Sequence, residues 1–381
     1  MSGRIRVLIV DDSAVIRRLV TEALAEDPDI DVVGTANNGR VGVEKVLALQ
    51  PDAVTMDIEM PVMNGIEAVR ALRRTHPRLP VVMFSTLTER GASATLDALA
   101  AGASDYVTKP SNVGSFAESQ RNVREQLVPK LKALAGARRS VLAGQAQAGT
   151  GGAPARPAVG TGAPRTGAPV TAAAGARRSR GTPFGVLVIG CSTGGPDALA
   201  TVLPQLPADL PVPVLVVQHM PPVFTRLLAQ RLDGQCPLSV SEAAPGDAVM
   251  PGRILLAPGG FHMVLKRQGT SLITELNEDP PENFCRPAVD VLFRSASAAF
   301  GERVLAAVLT GMGRDGEKGA RVIRAAGGEV FAQDDVTSVV WGMPGAVVGA
   351  GQADRVLPLP AIGRDLAAAV SRGAAKVEVP L

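Results

Sequence analysis

Residues 184–196 read FGVLVIGCSTGGP. The apolar, β-branched run from Val186 to Ile189 has the composition of a fully buried strand. It meets Gly190, Cys191, Ser192, Thr193, Gly194 and Gly195, and a helical pattern, DALATVLPQL, resumes soon after. A strand feeding a helix through a glycine turn belongs to an open α/β sheet. It leaves one hydroxyl, that of Ser192, at the carboxyl end of the strand, where such sheets place their ligands. Two chemistries fit this turn. Residues 190–194 satisfy the loose GxSxG pattern of a nucleophile elbow, and a glycine-rich turn opening a helix is also a phosphate cradle. The partners of Ser192 have to decide between them.

The 381 residues suffice for two domains of ordinary size. Aromatics make up only 3%, so packing rests on Val, Leu, Ile and Ala. No apolar run reaches the roughly 18 residues of a membrane span, and no signal-peptide pattern precedes the first strand. With three cysteines at unrelated spacings, this predicts a cytoplasmic protein without a disulfide framework. CxxC and HExxH are absent, which argues against zinc. The net charge of +3 misleads, because seven arginines lie between Arg138 and Arg180 in a stretch without an acid. Subtracting them from the 39 basic residues leaves 32 against 36 acidic, so no general nucleic-acid surface is expected. That stretch, 136–182, is rich in Ala, Gly, Pro and Arg and predicts a flexible linker.

Ahead of the linker, residues 1–135 alternate apolar runs with amphipathic stretches. IRVLIV, DVVGTA, DAVTMD, LPVVMFS and SDYVTK predict strands; segments from Ser13, Gly39, Gly65 and Glu89, and one after Ser115, predict helices. Five such pairs imply a doubly wound parallel sheet. Asp11 and Asp12 follow the first strand, Asp57 ends the third, Ser85 the fourth and Lys109 the fifth, so all share one sheet edge. Each aspartate alone is an ordinary cap or turn residue. Together, three carboxylates repel one another unless a hard cation, Mg²⁺ or Mn²⁺, lies between them. A lysine and a hydroxyl beside them suit a phosphoryl group on the middle carboxylate. VDDS, MDIEMPVMNG, FST and DYVTKP resemble the signature positions of bacterial two-component receiver domains. The resemblance implies that Asp57 accepts a phosphoryl group from a histidine kinase. It implies that Asp11, Asp12, Asp57 and the Glu59 backbone carbonyl hold Mg²⁺, and that Ser85, Lys109 and Tyr106 report phosphorylation to one face. Without the family, Tyr106 reads as a half-buried strand residue.

Residues 183–375 alternate again, predicting a mostly parallel sheet with an antiparallel excursion near 253–276. A serine that attacks carbonyls needs a base. Of three histidines, His76 lies past a helix in the first domain, His262 near a turn, and His219 at the end of VLVVQ, the strand after the helix that Ser192 opens. Right-handed connectivity brings that tip beside the first, which favours His219. Asp315, in GMGRDG after another buried strand, is the candidate orienting acid, with Asp334 and Asp335 as rivals. Amides near Met312 and Gly313 offer an oxyanion hole. No histidine follows His262, so the order differs from that of α/β-hydrolases and the triad would be convergent. Cys191, beside Ser192, is a rival nucleophile whose side chain should point away from the cleft.

GCSTGGP, VVQHMPP, APGG, RPAVDVLF, LTGMGRDG and AQDD…WGMP, following a receiver, resemble in order the bacterial chemotaxis protein-glutamate methylesterases. The resemblance implies an α/β chain of two doubly wound domains, flavodoxin-like then Rossmann-like. It implies a phosphorylation-activated hydrolase with Ser192 as nucleophile, His219 as base, Asp315 as orienting acid, the Met312 amide on the oxyanion and Thr193 positioning the histidine. Its substrates would be γ-glutamyl methyl esters, and glutamines at related sites, on cytoplasmic chemoreceptor helices. The phosphodonor would be the chemotaxis histidine kinase, with no cofactor beyond the receiver's Mg²⁺. The domain order implies that the unphosphorylated receiver lies against the cleft. Two residues depart from the family pattern: Cys285, where a histidine is expected, and Gly345, where a basic residue is common. Two other classes stay open, a receiver joined to a nucleotide-holding module and a DNA-binding regulator. GxxxGG departs from the GxGxxG fingerprint, and no basic recognition helix is visible.

Overall fold

A computed structural model describes residues 3–110, 115–148 and 182–374. In the first domain β1 (Ile5–Val10), β2 (Ile30–Ala36), β3 (Ala53–Asp57), β4 (Val81–Ser85) and β5 (Asp105–Thr108) pair in parallel in the order β2-β1-β3-β4-β5. Central β3 and β4 are buried throughout because helices cover both faces. The helices are α1 (Ala14–Ala25), α2 (Gly39–Leu49), α3 (Gly65–Thr75), α4 (Glu89–Ala100) and α5 (Phe116–Ala148). Local chemistry starts them where the pattern predicts. Asn64 and Glu67 form a reciprocal capping box at α3, and Ser13 caps α1.

The second sheet has seven parallel strands, ordered β14-β13-β12-β6-β7-β9-β8. These are β6 (Val186–Cys191), β7 (Val214–Gln218), β8 (Ser239–Glu242), β9 (Arg253–Leu256), β12 (Val304–Val308), β13 (Glu329–Gln333) and β14 (Arg355–Leu357). Around them lie α6 (Gly195–Val202), α7 (Phe224–Asp233), α8 (Val289–Phe300), α9 (Glu317–Ala325), α10 (Met343–Gly349) and α11 (Leu359–Ala374). The chain runs outward from β6 to one side, then returns to β12 on the other. Ser192 therefore sits at the switch point, the place such sheets reserve for ligands.

Two expectations need correction. The antiparallel excursion is a separate hairpin, β10 (His262–Gln268) with β11 (Ser271–Asn277); residues 253–256 belong to the parallel sheet. Ile254, Leu255 and Leu256 are buried on both faces, as a parallel interior requires, whereas the hairpin is half exposed. The linker expected from 136 is helical over its first part, because α5 continues to Ala148 through a proline-free run rich in Ala, Arg and Gln. The remainder, 149–181, lies outside the described residues. Helix α10 carries Pro344 and Gly345 near its start. That proline occupies the first turn, where its missing N–H costs nothing.

Candidate active site and phosphoacceptor site

At the receiver edge, the Lys109 ammonium lies 2.8 Å from Asp57 and 3.0 Å from Asp11. Asp57 Oδ1 also accepts the Ile58 N–H at 2.7 Å. Burial, aided by the charge of Asp11 and opposed by Lys109, pushes the Asp57 carboxyl up to about 6. Carboxylate oxygens of Asp11, Asp12 and Asp57 lie within 4.8 Å of one another. Oδ2 of Asp11 is buried and lacks a hydrogen bond of good geometry despite its ion pair with Lys109. An all-oxygen set with one under-satisfied member fits a hard divalent cation such as Mg²⁺. Glu59 is exposed and its carboxylate pairs with Arg90. Ser85 does not face Asp57; its hydroxyl donates toward the Gly91 carbonyl and accepts from Thr95, both on α4.

In the second domain Ser192 follows β6 and is fixed through its backbone. Its N–H donates to Thr310 O at 3.0 Å, and its carbonyl accepts from Gln218 Nε2 at 2.9 Å. The same Gln218 accepts from the Cys191 thiol at 3.0 Å, which turns that sulfur away from the cleft. Burial pushes the Cys191 thiol far up, so it is no nucleophile. Gly195 is required here, because a Cβ would overlap Gln218 Oε1. Gly311 is also required, since its Cβ would stand 2.9 Å from the Ser192 Cβ. That contact brings the 311–313 turn against Ser192. Among the described residues the Met312 and Gly313 N–H groups have no acceptor, so both are free to meet an anion.

His219 ends β7 beside Ser192, its N–H donating to Cys191 O at 3.1 Å. Its Nε2 lies 2.8 Å from Asp315 Oδ2. Asp315 is buried at the N-terminus of α8 and accepts from Val289 N, Asp290 N, Gly316 N and Asn283 Nδ2 at 2.6–3.0 Å. Burial opposes its charge, but the His219 bond and those amides outweigh it and hold the carboxyl low. The other ring nitrogen, Nδ1, lies 3.3 Å from Cys285 Sγ. Burial opposes the imidazolium too, yet Asp315 and Cys285 prevail and raise His219 to about 10. Among the described residues the Ser192 hydroxyl has no hydrogen-bond partner. Serine and histidine nevertheless line one cavity of about 20 Å³, room for about one water.

The remaining histidines are elsewhere: His76 caps α3, and buried His262 accepts from Ala288 N. The rival Asp334 caps the 334–337 turn through Thr337. Thr193, expected to position the histidine, instead donates its hydroxyl to Asp105 of β5 at 2.6 Å. The two domains meet at this turn, through a receiver carboxylate that also pairs with Lys130.

A family model described as CheB methylesterase matches residues 187–366, and one described as response regulator receiver domain matches 7–119. A protein-glutamate methylesterase/protein-glutamine glutaminase of Nocardioides sp. is 56% identical over 97% of this chain and 96% of that protein. One from Trichodesmium erythraeum is 43% identical over 93% and 96%. The chain belongs to this methylesterase family. The CheB methylesterase catalytic domain of Thermotoga maritima, a solved structure, is 45% identical over 49% of this chain and 98% of its own, with a TM-score of 0.48.

Within this family member the receiver covers the turn that carries Ser192. Tyr106 of β5 stacks on Phe224 of α7, ring centroids 4.8 Å apart and planes 8° from parallel. Glu89 and Asp97 of α4 pair with Arg226 and Arg231 of α7, each at 2.8 Å. Leu99, Asp105, Tyr106 and Lys130 of the receiver complete the wall of the small cavity around Ser192 and His219. Val340 joins the receiver's buried core cluster, and Met312 lies against that cluster. Sequence reasoning missed Gln218, Asn283 and Asp290, whose amide and carboxylate groups bond to atoms distant along the chain. Gly345 lies under Trp341 at the rim of a groove that Arg314 and Arg321 also line. Among the described residues no helix is long and apolar enough to cross a membrane.

Proposed function

We propose that this chain is a phosphorylation-controlled esterase that removes methyl groups from γ-glutamyl esters of chemoreceptor cytoplasmic helices and deamidates glutamines at related sites. The carrying observation is the shared cavity. Ser192 and the Asp315-bound His219 line one side of it, and four receiver residues, Leu99, Asp105, Tyr106 and Lys130, close the other. In the reaction His219 takes the Ser192 proton as the hydroxyl oxygen attacks the ester carbonyl. Asp315 holds the imidazole and stabilises its cation, and the Met312 N–H receives the developing oxyanion. Collapse releases methanol, or ammonia from glutamine, and water then cleaves the acyl-serine by the same route.

In the arrangement described, both imidazole nitrogens are engaged, Nε2 by Asp315 and Nδ1 by Cys285, so the serine has no base. The cavity also has no room for a receptor helix. This is a closed state, and phosphorylation of Asp57 by a chemotaxis histidine kinase opens it. Bound Mg²⁺, held by Asp11, Asp12 and Asp57, would offset negative charge on the transferred phosphoryl group. Lys109 and the Ser85 hydroxyl turn toward the new oxygens. Ser85 then leaves Thr95 and Gly91, which moves α4, and β5 moves with Lys109. Those two elements carry Glu89, Asp97, Asp105 and Tyr106, the contacts that seal the cleft. Methanol release from methylated receptor membranes tests the reading. The full chain should release methanol, faster with acetyl phosphate, and Ser192→Ala should release none; equal release by Ser192→Ala would refute it.

A further inference from the structure

Residues 282–285 form a turn closed by two backbone bonds, Glu282 N–H to Cys285 O at 3.1 Å and Cys285 N–H to Glu282 O at 2.9 Å. Its two central residues, Asn283 and Phe284, have φ of 51° and 64°, the primed geometry that usually demands glycine. The turn does two things at once. It directs the Asn283 amide onto Asp315 and Asp290 at 2.8 and 3.0 Å, and it delivers the Cys285 sulfur to Nδ1 of His219. Thiol, imidazole and carboxylate therefore stand in file, Sγ to Nδ1 at 3.3 Å and Nε2 to Oδ2 at 2.8 Å. This is the constellation that activates a cysteine nucleophile, built on the same histidine that serves Ser192.

Unlike Cys191, Cys285 is partly exposed. It lines a separate cavity of about 490 Å³ together with His219, Lys130 and Arg286. Small reagents can enter there. We propose that Cys285 is a modification site for small soft electrophiles, activated by His219, and that its modification disables hydrolysis at Ser192. As the sulfur attacks carbon, the S–C bond forms, the bond from carbon to the leaving group breaks, and the proton shared between Sγ and Nδ1 ends on His219, whose raised basicity keeps it there. The base is left protonated beside an enlarged side chain. The loss of esterase activity rests on the function proposed above; the reactivity of the thiol does not.

Iodoacetamide at pH 7 is the probe, with labelling of each cysteine in the full chain followed by mass spectrometry. Cys236, half-buried and without a histidine partner among the described residues, is the internal reference. Cys285 should label about tenfold faster than Cys236, and faster than Cys285 itself in denaturing urea, a comparison that needs no variant to fold. His219→Gln should remove that advantage. Methanol release should fall in step with Cys285 labelling, while Cys285→Ser keeps its own starting rate through the same treatment. Labelling no faster than Cys236, or unchanged in folded His219→Gln, would overturn the assignment. So would full activity after complete Cys285 labelling in a chain that Ser192→Ala inactivates. Because labelling is read without ester substrate, a failure of the esterase reading would show separately.

Discussion

The two sheet edges of this molecule are built from the same topology and solve different problems. At the receiver edge Asp11, Asp57 and Lys109 arrive at the tips of strands β1, β3 and β5 and meet through charge, with the ammonium 2.8–3.0 Å from both carboxylates. At the esterase edge Ser192 and His219 also arrive on adjacent strand tips. Their working geometry, however, depends on loops: the 282–285 turn, the 311–313 turn, and the Gln218 amide that clamps the Ser192 carbonyl. A charge cluster needs only proximity, whereas a nucleophile and its base need direction. The sheet supplies the first, and irregular backbone supplies the second.

Removing the proposed orienting carboxylate should separate the two edges most sharply. Asp315→Asn should lower methanol release by about 10³-fold or more with the fold retained, since the imidazole loses its stabilising anion. Asp57→Asn should leave unstimulated release in place and abolish the response to acetyl phosphate. Gly195→Ala tests the amide clamp. A Cβ there displaces Gln218, which should cost about 1–3 kcal/mol in urea unfolding and slow hydrolysis as well.

How much of this was legible follows the same division. Strand tips could be read, because buried runs end where polar residues begin and a parallel sheet aligns those ends. Ser192, His219, Asp315, Asp11, Asp57 and Lys109 were all found that way. Asn283 and Gln218 could not be, since a side-chain amide has no periodicity and its bonds span distant segments. The Thr193 bond to Asp105 joins residues of different domains, and no pattern within either one encodes it. The Tyr106–Phe224 stack is of the same kind.

Weakening the seal should have intermediate effects. Asp105→Ala removes a buried, charge-assisted bond of about 1.5–3 kcal/mol, enough to raise unstimulated methanol release about tenfold. Arg231→Ala removes an exposed pair with Asp97 and should raise it at most a few-fold, less in high salt. The smallest effect concerns stability. His219, ordinarily near 6.5, is raised to about 10 in the fold, so its stabilising contribution is complete below 6.5 and is lost as pH rises through 10. The urea midpoint of the full chain should exceed that of His219→Gln most near pH 6, with the gap closing toward pH 10.

Hydrogen–deuterium exchange on the full chain with Mg²⁺ and acetyl phosphate reads the seal itself. Amide exchange in 192–196 and in 104–108 should quicken together when phosphodonor is added, and should not change in Asp57→Asn. Unchanged exchange in both segments of a chain shown to be phosphorylated would mean that the receiver does not gate Ser192.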